Sequence, residues 1–268
     1  MLTRLRGRDD AGLTLAELVV SMTLLTILLA IGGTFFVTAI RSTNTTTLTN
    51  QQTADARLTL DSWTAKLRVA AWLDSAQTDR FEIVTSNKIV FYANLDNRAT
   101  TDFTVAPVSK VVLMLKTTNA TTGDGQLIEI VFQGNATTPT YVRRLALNAR
   151  AIGGVGTAVF TPFNFAGGEI NPSSYNGCYA NGAVKVGMCL RTLPSGSGMV
   201  DPTVGLTSNA VTAGAFRGNP TRSDYTDNVD TALQSIVAVK IGFTVSDTAD
   251  TVNQTYQSMA AVNSGYGS

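Results

Sequence analysis

The sequence predicts an α+β protein: one long N-terminal helix, its outer half laid on an antiparallel β-sheet, and a loop-rich C-terminal region. Three observations predict this. Leu13 to Ile40 form one dense apolar block with a single ionisable residue, Glu17. From Gln51 a helical pattern resumes, with an apolar face that needs a cover. Short apolar runs separated by turn residues then follow as far as Val245.

The first element is a short polar leader, MLTRLRGRDDAG, with Arg4, Arg6 and Arg8 ahead of Asp9 and Asp10. The apolar block after it would be roughly 40 Å long as a helix. A bilayer core needs only ~20 residues, so the block spans a membrane with helix to spare. Three arginines precede it and Arg41 alone follows closely. That bias favours a cytoplasmic N-terminus, with everything after about residue 42 outside the cytoplasm. Two plain readings compete. One is an uncut signal anchor. The other is a secretory signal peptide, with Leu18 to Gly33 as its apolar region and Val37-Thr38-Ala39 as its cleavage site, giving a product that starts at Ile40. Neither gives Glu17 a task, although a carboxylate inside a span costs ~2.5–3.5 kcal/mol and marks a functional site by default. Gly32-Gly33, in the same block, suits close helix packing or a point where the helix loosens.

Gly12-Leu13-Thr14-Leu15-Ala16-Glu17-Leu18 resembles the type IV prepilin signature, placed between a short basic leader and an apolar helix as in that family. Leu13 departs from the more usual Phe. The resemblance implies a pilin-like fold and cleavage between Gly12 and Leu13 by prepilin peptidase. It also implies N-methylation of Leu13 and a role in assembly for Glu17, the fifth mature residue. Glu17 lies four residues from the new amine, on the same helical face. It can therefore pair with that amine within one helix or between neighbours. Later segments, including Arg57 to Ala70, Ile89-Val90-Phe91-Tyr92 and Tyr141 to Leu145, are similar to the larger J/W-type minor pilins and pseudopilins. Glu17 argues against a K-type tip subunit. The implied partners are prepilin peptidase, other pilin or pseudopilin subunits and a membrane assembly platform, with no direct nucleic-acid partner. The implied location is the inner membrane in a single pass, then a filament or the cell surface.

The expected organisation is a leader at 1–12, a membrane and filament-core helix at 13–40, its outer half at 41–75, and an extracytoplasmic β-rich head at 76–268. Ser42 to Asn50 (STNTTTLTN) is poor in helix formers and predicts a weak stretch or kink. Leu60, Trp63, Leu67, Ala70 and Ala71 then share one face. Phe81–Thr85 with Lys88–Tyr92 reads as a hairpin, as does Val111–Lys116 with Leu127–Phe132. Tyr141–Leu147 and Gln234–Val245 are further strands. Asn148 to Asp230 reads as loop, and the tail after Thr248 as soft.

The chemistry of the remaining residues is limited. The 268-residue chain has no histidine, which excludes Ser-His-Asp, Cys-His and His-zinc sites. A net charge of +1 gives no reason to expect nucleic acid. Asp102, Asp124 and Glu129 have no spacing that would make a glycosidase-like pair. The expectation is no enzyme and no cofactor. Cys178 and Cys189, the only cysteines, would lie outside the cytoplasm, where a disulfide is expected and two free thiols are the alternative. Asp224, Asp227, Asn228 and Asp230 cluster within seven residues. They are a weak Ca²⁺ candidate against a solvated turn, and the expectation is no metal. A competing function class is a secreted or anchored extracytoplasmic binding protein, distinguished by its mature N-terminus.

Overall fold

The structure is a computed structural model that describes residues 14–71, 80–95, 109–133, 139–180, 183–190, 228–246 and 253–262. Helix α1 spans Leu15–Arg68. The chain divides into two compact units, Met1–Thr49 and Asn50–Ser268. In the first, α1 carries exposed Leu, Ile, Val and Phe side chains along its length, and no part of its apolar window is buried. By length and composition it can cross a membrane.

The threonine-rich stretch is helical, against the expectation of a kink. Thr43, Thr45, Thr46, Thr47 and Thr49 each donate a hydroxyl hydrogen bond to the carbonyl four residues back, at 2.9 Å. Bonding back to the helix satisfies the hydroxyls that would otherwise compete with it.

In the second unit, β1 (Phe81–Val84), β2 (Lys88–Ala93), β3 (Ser109–Thr117), β4 (Gly125–Phe132) and β5 (Tyr141–Ala151) follow as an antiparallel meander. They are followed by β6 (Phe160–Asn164), β7 (Cys178–Ala180), β8 (Ala183–Lys185) and β9 (Met188–Cys189). A short helix α2 (Asn228–Gln234) leads into β10 (Ile236–Ser246) and β11 (Asn253–Ala261). The main sheet runs β11-β10-β5-β4-β3-β2-β1-β9, with β6 also on β10, while β7 and β8 form a separate pair. The fold is α+β and pilin-like: a long N-terminal helix, then an antiparallel sheet.

The central strands are buried on both faces, which is why they read as continuous apolar runs rather than alternating ones. On one face Phe81, Ile89, Phe91, Val111, Leu113 and Leu127 pack with Trp63 and Leu67 of α1. Trp63 stacks on Phe160 at 5.5 Å and meets Phe243 edge-on at 6.4 Å. Each large side chain buried this way contributes roughly 1.5–3 kcal/mol. On the other face Ile83, Val90, Val112, Met114, Ile128 and Phe132 pack with Cys178 and Cys189.

The region expected to be loop holds β6 to β9 and the start of α2, and the tail expected to be soft holds β11. The meander and β10 stand where the sequence placed them, and Leu60, Trp63 and Leu67 share the covered face of α1. The helix ends at Arg68, short of the expected residue 75, so Ala70 and Ala71 lie beyond it and Ala70 instead bridges Ala93 of β2.

Candidate functional site: the start of the N-terminal helix

Thr14 caps α1. Its backbone N–H and its hydroxyl both donate to Glu17 Oε2 at 3.1 Å, and the Glu17 N–H donates to Thr14 Oγ1 at 3.3 Å. This is a reciprocal capping box, in which two amides of the first turn find side-chain partners. The Glu17 carboxylate also sits where the helix dipole favours negative charge. Oε2 takes both bonds, and among the described residues Oε1 receives none. Sequence reasoning singled out Glu17 but missed Thr14 as its partner, although Thr-x-x-Glu ahead of an apolar run is the recognised signal.

Further along, Ser21, Thr23, Thr26, Thr34 and Thr38 donate their hydroxyls to carbonyls three or four residues back, at 2.7 to 2.9 Å. Polar side chains satisfied within their own helix are tolerated in hydrocarbon. Ideal Cβ atoms placed on Gly32 and Gly33 meet nothing within 4 Å, so these glycines fill no packing need within the chain. Small residues on an open helix face let another helix approach closely.

Gly12 and Leu13 lie outside the described residues, as do Asp224 and Asp227. Asp230 stands in the first turn of α2. Among the described residues no group of three metal-ligating side chains converges. Cys178 and Cys189 form a disulfide, with both residues fully buried. It joins β7 to β9, the short edge strand beside β1. Gly187, at a φ of 134°, sits over this bridge; a Cβ there would lie 2.7 Å from the Thr85 methyl and 3.2 Å from Cys178 Sγ. Only glycine fits that conformation and that gap.

Two buried polar clusters were not foreseen. Glu129 of β4, fully buried, holds Lys66 of α1 at 3.2 Å and accepts hydrogen bonds from Ser62 at 3.2 Å and Tyr141 at 3.1 Å. It fastens the helix to the sheet. Burial, then the Glu129 carboxylate, push the Tyr141 phenol up to about 12. On the β1-β2-β3 part of the sheet, buried Glu82 pairs with Lys110 at 3.4 Å and accepts from Tyr92 at 2.7 Å. Burial pulls the Lys110 ammonium down, and Glu82 opposes that shift. Asp124 meets Arg150 at 3.6 Å. The signal for the Glu129 cluster was one carboxylate inside the apolar run Leu127-Ile128-Glu129-Ile130-Val131, which needs a partner once buried. A cavity of about 180 Å³ by the β1–β2 turn has Lys88 as its one titratable lining residue.

Residues 7–33 match the family model described as the prokaryotic N-terminal methylation motif, a span that holds Gly12, Leu13, Thr14 and Glu17 and ends on Gly33. No curated protein and no solved structure matches the chain. The motif supports a type IV prepilin-like protein, and the exposed apolar helix that carries it fits a single membrane pass.

Proposed function

We propose that this chain is a minor pilin or pseudopilin of the J/W type: a structural, non-catalytic subunit of a type IV pilus-like or type II secretion-like filament. Prepilin peptidase cuts it after Gly12, Leu13 is then N-methylated, and the subunit waits in the inner membrane with its head outside the cytoplasm. Glu17 carries the reading. It lies inside the matched methylation motif, at the start of an exposed apolar helix, with one carboxylate oxygen already held by Thr14. The other oxygen is open to the cationic amine of a neighbouring Leu13. In apolar surroundings an unpaired charge is costly, so an incoming amine and a resident carboxylate gain by meeting, and the meeting sets the axial register. The competing secretory reading requires cleavage after Ala39, inside an unbroken helix.

The test is Glu17→Leu beside Glu17→Gln, read by crosslinking to other subunits and by a filament count. Both variants are expected to be cut and to accumulate in the membrane, yet to enter filaments poorly. The amide keeps some function because it can still accept a hydrogen bond from the amine. Native-level assembly by Glu17→Leu would remove charge pairing from the account.

A further inference from the structure

The open edge of the main sheet points to a second contact. We infer that the outer edge of β11 is a strand-addition surface, occupied in the filament by an uncharged extended segment of a different subunit. This rests on the filament-subunit reading above.

β11 pairs with β10 without a register shift from Ala238↔Ala261 to Ser246↔Asn253. The Val262 N–H donates to the Val237 carbonyl at 2.8 Å, which marks that pair as hydrogen-bonded. Hydrogen-bonded and non-bonded pairs alternate along an antiparallel ladder. Residues 254, 256, 258 and 260 therefore bond to β10, while Asn253, Thr255, Gln257, Met259 and Ala261 turn their N–H and C=O groups outward. These five outward residues are spread along a nine-residue strand of about 30 Å. Among the described residues no strand pairs with it, and β11 ends the strand order.

Exposed edges are normally blunted by charge, proline, a bulge or shortness. The opposite edge of this sheet uses shortness: β9 has two residues, tied down by the disulfide. β11 (NQTYQSMAA) has no charged residue, no proline and no glycine, and its ladder has no bulge. Its inner side is fixed. Gln254 Oε1 accepts from Thr53 of α1 at 2.8 Å and from Tyr256 at 2.6 Å, and the Tyr256 ring lies 5.8 Å from Phe243. The strand is thus anchored to the rest of the head before any partner arrives, which lowers the ordering cost of pairing.

Chemistry and symmetry choose the occupant. The side chains flanking the edge are uncharged, so an uncharged strand makes matched cross-strand pairs. Two copies joined β11 to β11 would close as a two-fold pair and stop, whereas a filament grows through unlike surfaces. The partner strand therefore comes from another part of another subunit.

The full chain is expressed in its membrane with the other prepilins. A photo-crosslinking amino acid replaces Met259, whose side chain is exposed, or, in a parallel strain, Leu28 of the apolar helix. Expected are Leu28 products with other subunits, and a Met259 product that maps to an extended segment of a second prepilin-signature protein. Gln257→Pro removes one outward N–H and leaves the β10 ladder intact; it should cut the Met259 product about tenfold. Gln257→Ala, which keeps the N–H, should change it less than about twofold. Formation of the Cys178–Cys189 bridge reports that each variant has folded. If Gln257→Pro does not fold, Gln257→Lys takes its place and must also lower the yield. Leu28 products without a Met259 product, a Met259 product joining two β11 strands, or a yield indifferent to the edge variants each overturn the edge proposal alone. Absence of Leu28 products overturns the filament reading and the edge with it.

Discussion

Lys66→Met should loosen the outer half of α1 from the sheet. Glu129 is fully buried, and Lys66 supplies its only cation among the described ion pairs, at 3.2 Å. Breaking a buried pair from one side costs about 3–5 kcal/mol, because the remaining charge is left in a poor medium. Here the Ser62 and Tyr141 hydroxyls still solvate the carboxylate, and the Lys66 side chain is 15% exposed. The expected loss is therefore at the lower end, about 3 kcal/mol. Glu129→Gln leaves a cation that can swing to water and should cost about 1.5 kcal/mol. The double change Lys66→Met with Glu129→Gln removes both charges and keeps the hydroxyl bonds, so it should cost only about 1 kcal/mol. Urea unfolding of the full chain in detergent would measure this, read from Trp63 fluorescence in a Trp72→Phe background. Trp63 reports helix docking because it is buried against Phe160 and Phe243. A loss under about 1 kcal/mol for Lys66→Met, or simple additivity in the double variant, would refute the view that this pair fastens helix to sheet.

Other expectations follow from the same geometry. The Tyr141 phenol is raised from 10.0 to about 12 in the folded state, so its contribution is whole below pH 10 and is lost as pH rises through 12. Tyr141→Phe should remove that step from an alkaline unfolding curve. Replacing both Cys178 and Cys189 by Ala should cost about 3 kcal/mol by the loop-entropy argument, measured by the urea midpoint at constant slope. Thr14→Val should lose about 1 kcal/mol of capping, seen as faster amide exchange in the first turn of α1.

Much of the fold was legible because burial on both faces writes itself as apolar runs. β2 (KIVFYA) and β4 (GQLIEIVF) are of this kind. β6 escaped notice because Pro162 argues against a central strand, and it is tolerated in a strand whose ladder is with β10 alone. β11 escaped because its inner residues (Gln254, Tyr256, Ser258, Ala260) are hardly more apolar than its outer ones. It is a strand through its pairing with β10 rather than through its own pattern. The threonine helix was misjudged by propensity alone, before the back-bonds of Thr43 to Thr49 could be counted. At the site, Glu17 stood out because a charge in an apolar block is costly. Glu129 carried the same signal in a strand, but its partner Lys66 lies 63 positions earlier and only the fold joins them.

The mature N-terminus distinguishes a prepilin from an anchored or secreted protein. Mass spectrometry of the membrane fraction, from cells with active prepilin peptidase, should find a chain that begins at Leu13 and carries one methyl group on its amine. A chain that begins at Met1, or one that begins at Ile40, would rule out prepilin processing.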